Sequence, residues 1–177
     1  MEINKANTYL RQFNETIEKW ITYLDDYTLE MLCQKPQINS WSLGQVYVHI
    51  VEDTEYFIEQ MKASLLFDNA NSEKEMHRNA KVMFENNEFP DMLLDNPSNN
   101  PNLRMPQSKD ELLQSLVLIK DEVNKLYSIS DFSNSNGKTE HPGLLFFNAL
   151  EWLRFAEMHM RHHLRQKSRI DDKIFSK

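Results

Sequence analysis

FNALEWLRFAEMHMRHHLRQ, residues 147–166, opens with the grammar of a helix start and ends in a cluster of histidines. Asn148 can accept from the first free backbone N–H groups, Glu151 three residues on can reach back to the cap, and Phe147 and Trp152 flank the start as an apolar staple. The spacing predicts a helix from Asn148 onward, with His159, His162 and His163 on it.

The same grammar recurs upstream. In WSLGQV, residues 41–46, Ser42 is the cap, Gln45 its reciprocal partner, and Trp41 and Val46 the staple. Ser72-x-x-Glu75 and Ser108-x-x-Glu111 mark two further starts, the second feeding Leu112, Leu113, Leu116, Leu118, Ile119 and Val123. From about Ile3 to Leu32, the residues Tyr9, Leu10, Phe13, Ile17, Trp20, Ile21 and Leu24 recur at three- and four-residue intervals, which predicts one long amphipathic helix ending before Pro36. The stretch ENNEFPDMLLDNPSNNPNLRMPQ, residues 85–107, is rich in Asn and Pro and reads as a long connection, preceded by a short helix near Ser72 to Glu85. SISDFSNSNGKTEHPG, residues 128–143, separates the third long helix from the last. The expectation is an all-α four-helix bundle, a single domain over residues 1–177, with a long crossover carrying a short extra helix. A simple up-and-down bundle would run the second and fourth long helices parallel.

Composition bounds what such a bundle does. The chain has 177 residues, 40% of them hydrophobic, which suffices for one full core, and only 3 glycines, which suits long helices. No apolar run approaches the roughly 18 residues of a membrane span, and MEINKANTYL lacks the layout of a signal peptide, so a soluble, cytoplasmic protein with no membrane partner is expected. The single cysteine, Cys33, has no partner for an internal disulfide and reads as a packed small residue. A net charge of −7 argues against nucleic acid as a partner. The series Arg154, Arg161, Arg165, Lys167 and Arg169 has no interleaved stacking aromatics and reads as a solvated basic face. Gly-rich phosphate loops and Gly-x-Ser-x-Gly elbows are absent from the sequence.

The histidines carry the chemistry. His159 and His163, four apart on a helix, lie about 40° apart and roughly 5.4 Å along one stripe, so both imidazoles can reach one ion. Trp152, Ala156, His159 and His163 follow one another at intervals of four, three and four, which puts the pair on the apolar face, with Arg154, Glu157, Arg161 and Arg165 mostly opposite. On the second long helix the inward series Val46, His49, Ile50, Asp53 and Phe57 adds a third histidine. Three histidines on two inner faces make the arrangement that leaves a coordination position open for water or substrate. If the two helices ran parallel, their starts would have to be offset by roughly two turns to bring His49 to the pair. Asp53 either orients an imidazole through its second nitrogen, approaches the metal itself, or is simply solvated at the edge of the face. His162 is a second-ranked alternative at i, i+3 from His159. His77 sits in a charged context and His141 precedes Pro142 in a loop, where it could lie over the mouth of the site. Met158 and Met160 read as packing.

The segments WSLGQVYVH, residues 41–49, and EWLRFAEMHMRHHLRQ, residues 151–166, together resemble the DinB-like (YfiT-like) superfamily of metal-dependent enzymes. The first is similar to that family's Trp, Ser or Thr, and His at the eighth position after the Trp; the second is similar to its final helix with H-x-x-x-H. HPGLLFFNALEW, residues 141–152, resembles a branch classed only as a domain of unknown function. Carried over by position, the resemblance implies His49, His159 and His163 as the metal triad, nickel or zinc as the ion, and often a homodimer. It also implies a hydrolase or thiol-dependent S-transferase type of reaction on a small-molecule substrate, with a low-molecular-weight thiol such as bacillithiol or mycothiol as a cosubstrate. The Asn-rich crossover and the HPGLLFFN segment depart from the family's pattern, which leaves substrate choice open. The alternative expectation is a non-enzymatic helical interaction or metal-binding protein.

Overall fold

The structure, a computed structural model, describes residues 2–66, 70–90 and 103–175, with side chains from residue 5 onward. Its elements are α1 (Glu2–Leu24), α2 (Leu29–Cys33), α3 (Leu43–Leu66), α4 (Arg78–Asn86), α5 (Lys109–Ile129), β1 (Lys138–His141), β2 (Leu145–Asn148) and α6 (Ala149–Ile174). The protein is an all-α bundle of four long helices, α1, α3, α5 and α6, with a small hairpin. Among the described residues no helix is long and apolar enough to cross a membrane.

Three of the caps read from sequence form as expected. Gln45 N–H donates to Ser42 Oγ at 3.2 Å and Ser42 N–H to Gln45 Oε1 at 3.1 Å. Glu151 N–H donates to Asn148 Oδ1 and Asn148 N–H to Glu151 Oε2, both at 2.8 Å, and Phe147 and Trp152 meet with ring centroids 5.1 Å apart. Ser108 Oγ accepts from Glu111 N–H at 3.0 Å. Each bond satisfies backbone donors that a helix start leaves free.

Four expectations need correction. The first helix does not run unbroken to Leu32. Asp25, Asp26 and Tyr27 donate to carbonyls three residues back, which tightens and ends α1, and Thr28 Oγ1 then accepts from Met31 N–H to start α2. The turn seats Tyr27, whose hydroxyl lies 2.8 and 2.9 Å from the Asp171 carboxylate oxygens. The Ser72 start does not form either. The residues around Ser72 instead form a turn, with Asn71 at φ +55° and Lys74 N–H donating to Asn71 O at 2.9 Å, and the cap of α4 is His77, whose Nδ1 accepts from Asn79 N–H at 3.2 Å and whose N–H donates to Leu144 O at 2.8 Å. The segment before α6 is partly strand: β1 and β2 pair antiparallel with His141 opposite Leu145 around a turn in which Gly143 takes φ +90°, a conformation open to glycine. Of the Asn-rich connection, residues 91–102 lie outside the described residues.

The fourth correction is topological. Tyr9 meets Arg154, Thr16 meets Glu157 and Trp20 meets Met160, so α1 and α6 run parallel. His49 meets His163 while Phe57 meets Trp152, so α3 runs antiparallel to α6. Asn7 meets Tyr127 and Asn14 meets Asn124, so α5 runs antiparallel to α1. The order is up, down, down, up, with the crossover returning the chain between the two parallel helices α3 and α5. With α3 and α6 antiparallel, no two-turn offset of their starts is required.

The core runs along the middle of this square. Phe13, Ile17, Trp20 and Leu24 of α1 are at most 1% exposed, as are Val46, Tyr47 and Ile50 of α3 and Trp152 and Ala156 of α6. Trp20 Nε1–H donates to Met160 O at 3.1 Å and Tyr47 O–H to Trp20 O at 3.0 Å, so the buried polar tips of both rings are satisfied by helix carbonyls. The first turns of α3 are buried all round, from Leu43 through Val51. That close packing needs Gly44: a Cβ there would lie 2.8 Å from Leu32 O and 2.8 Å from Pro106 Cγ.

Candidate metal centre

His49 lies two turns into α3, and His159 and His163 lie one turn apart in the middle of α6. Antiparallel packing brings all three to one point. His159 Nε2 is 3.2 Å from His49 Nε2 and 3.1 Å from His163 Nε2. The rings stand edge to face, with centroids 4.5 to 4.9 Å apart. Each residue is 7% exposed. Two donors about 2.0–2.1 Å from a tetrahedral ion lie about 3.3 Å from each other, close to the spacings found here.

The far nitrogens decide which way the lone pairs face. His163 Nδ1–H donates to Gln166 Oε1 at 2.7 Å, and His49 Nδ1 lies 3.4 Å from Asp53 Oδ1. With the protons on those Nδ1 atoms, both Nε2 lone pairs point inward, the tautomer a metal ligand needs. Burial removes the competing proton as well. It lowers the pKa of His49 to about 4 and of His163 to about 3, and it holds His159 well below the ordinary value, with the neighbouring histidines adding to the effect. Three neutral imidazoles aimed at one point fit a site for a divalent transition ion, and His49, His159 and His163 form such a group among the described residues.

Asp53 stands one turn along α3 from His49, its Oδ2 3.5 Å from His159 Nε2, with its side chain 35% exposed. It therefore touches the site and also faces solvent. Burial, then the charge of Glu52, pushes its carboxyl up to about 7. Phe57 packs on His159 from one side, with centroids 5.5 Å apart, and the Trp41 ring lies 5.0 Å from that of His49.

The other sequence candidates separate cleanly. His162 turns away from the group, and its Nδ1 accepts from Arg165 Nη2 at 2.9 Å. His77 caps α4. His141 packs its ring on Trp152 and Phe155 at the hairpin, with centroids 5.4 and 4.9 Å away. Met158 and Met160 are buried, and Cys33 is half-buried at the end of α2.

The arginines of α6 correct a further expectation. Arg154, Arg161 and Arg165 do not form a solvated face; they donate to the carbonyls of Phe84, Asn87 and Phe89 at the C-terminal end of α4. Glu157, itself buried, accepts from Arg161 Nε at 2.8 Å and from Thr16 Oγ1 at 3.0 Å. Sequence reading did not single out Gln166 or Phe89. Gln166 was legible, since it follows His163 at i+3 on the same helix. Phe89 was not, because only the fold brings it to α6.

A family model described as the DinB superfamily matches residues 12–166, from α1 to the glutamine beside His163. Neither the curated proteins nor the solved structures give a match.

Proposed function

This chain belongs to the DinB superfamily, and we propose that His49, His159 and His163 hold one divalent transition ion, nickel or zinc, at a site where the protein activates water or a small thiol. The observation that carries this is the convergence of three buried Nε2 atoms, 3.1 and 3.2 Å apart about His159, with the Nδ1 atoms of the other two held by Gln166 and Asp53. Bound there, the ion would lower the pKa of a water or thiol enough to supply a nucleophile near neutral pH. Asp53 is the group placed to take the proton. Its carboxyl lies beside the ligand nitrogens and reaches solvent, so it can accept a proton from a nucleophile at the site and pass it outward. The burial of the imidazoles keeps them neutral at that pH, so the ion does not compete with protons for them.

A small-molecule substrate, a low-molecular-weight thiol as cosubstrate and assembly as a homodimer, which the sequence resemblance implies, belong to the same proposal. A second reading, metal held for structure without turnover, is favoured by the burial of all three ligands. A surface groove lies elsewhere, between α1 and α5, lined by Asn7, Arg11, Asn14, Glu18 and Lys120 among others.

Elemental analysis of untagged protein tests the site. About one nickel or zinc per chain is expected, lost in His49→Ala and in His163→Ala while the circular dichroism of both variants stays helical. Folded protein that remains metal-free after reconstitution would overturn the proposal. Adding azide to the cobalt-substituted protein then separates the two readings, since a changed visible spectrum requires an open coordination position.

A further inference from the structure

The chain leaving α4 brings Phe89 against His159 and His162, and α6 fastens it there. The carbonyls at a helix C-terminus have no partner within the helix, and guanidinium groups meet them with charge-assisted bonds at the negative end of the dipole. Arg154 does this at Phe84 in the last turn of α4, and Arg161 and Arg165 on the same stripe of α6 bind the carbonyls of Asn87 and Phe89 just beyond it. Arg154 Nη2 donates to Phe84 O, and its Nε and Nη2 both reach Asn87 Oδ1 at 3.1 Å. Arg161 Nη2 donates to Asn87 O at 2.7 Å. Arg165 Nη2 donates to Phe89 O at 2.8 Å and to His162 Nδ1 at 2.9 Å.

Between the first and last of these bonds the chain turns. Asn87 takes the left-handed conformation, φ +53°, which ends α4 and sends Phe89 back toward α6. The Phe89 ring is 7% exposed and sits 5.1 Å from Phe155, 5.4 Å from His162 and 6.0 Å from His159, centroid to centroid. It flanks His159 together with Phe57, which is fixed within α3. Among the described residues, Phe89 is held by its own packing and by a carbonyl that an arginine binds.

We propose that Phe89 is the wall that limits what reaches His159 and its two partners, and that Arg154, Arg161 and Arg165 position it. The inference deepens the metal reading above and rests on it for the ion. It assigns the arginine series a role in access to the site, and it places His162 in the structure as an acceptor that helps hold Arg165.

The test uses the full chain loaded with zinc and follows its removal by 1,10-phenanthroline, a bulky planar chelator. Phe89→Ala is expected to release zinc about tenfold faster than wild type, with Phe89→Leu in between and still folded. Zinc content at saturation should stay unchanged, because the ligands are intact. Arg165→Ala should accelerate release in the same direction, and Arg165→Lys, which keeps one donor for Phe89 O, should restore most of the difference. Equal release rates in wild type, Phe89→Leu and Phe89→Ala would overturn the proposal. Carbethoxylation of His159 by diethyl pyrocarbonate in metal-free protein, located by mass spectrometry, gives a readout that needs no ion. It should be faster in both Phe89 variants, and an unchanged rate would overturn the wall on its own. Wild-type protein that takes up no zinc would instead sink the metal reading, leaving carbethoxylation to decide the role of Phe89.

Discussion

Gln166 accepts the Nδ1 proton of His163 and so leaves the Nε2 lone pair facing His159. Without that acceptor the imidazole can rotate or take the other tautomer, and loss of a partner of this kind typically costs about 10–100-fold in metal affinity. Gln166→Leu should therefore weaken zinc binding by about that factor, measured by competition with a chromophoric chelator, while the stoichiometry of about one ion per chain is kept at saturation. A loss of binding as complete as in His163→Ala would mean that Gln166 is itself a ligand. At this scale the sequence was informative wherever one helix supplies both partners. The His159–His163 spacing, the His49–Asp53 spacing and the inward stripe were all legible, because helical geometry alone determines them. Phe89 and Trp41 were not legible as neighbours of the histidines, since neither shares a regular periodic face with the residue it touches.

Helix α3 begins under unusual crowding, and Gly44 is the reason it can. A methyl group at that position would meet Leu32 O, a backbone atom with little freedom to retreat, and the Pro106 ring. Gly44→Ala gains in helix propensity by about 1 kcal/mol, yet overpacking of this kind costs about 1–3 kcal/mol. The expected net effect is a lower midpoint in urea with a helical spectrum retained; an increased midpoint would show that α2 and the Pro106 segment shift aside. The element boundaries divide along the same line. Starts with a reciprocal cap, at Ser42 and Asn148, were readable because the cap is a local hydrogen-bond exchange over four residues. The start at Ser72 failed although it has the same letters as the one at Ser108, because a turn closed by Lys74 N–H on Asn71 O takes the backbone around Ser72, and the bond from His77 N–H to Leu144 O sets the helix start at His77 instead. The hairpin escaped notice because its strands span four residues each and LLFF carries no periodicity that distinguishes strand from helix.

Across the whole molecule, folding buries three imidazoles in neutral form, and this sets how stability depends on pH. His49 and His163 fall to about 4 and about 3, and His159 falls well below its ordinary value, so the unfolded chain binds more protons at these three sites once the pH drops below about 6.5. Asp53 acts in the opposite sense: its pKa is raised to about 7 in the fold, so below that pH the folded state holds a proton that the unfolded chain lacks. His141, also lowered by burial, adds to these three, while Glu55 and Glu151, raised by burial, side with Asp53; the histidine shifts dominate and leave a net loss of stability as the pH falls from about 6.5 to about 4. Urea unfolding of metal-free protein at pH 7 and pH 5 should show it, and Asp53→Asn should steepen the dependence by removing the opposing group nearest the histidines. A flat profile in the variant would contradict the burial of neutral histidines. By itself the sequence determined the helices, their inner faces and the identity of the three histidines, since cap chemistry and a period of 3.6 residues act within a few turns of chain. The tertiary structure decided the antiparallel course of α3 and α6, the arginine hold on the end of α4 and the placement of Phe89 and Asp53 around the site. Those depend on how a crossover returns the chain and on which carbonyls it leaves unpaired, and such long-range contacts leave no repeat in the order of residues.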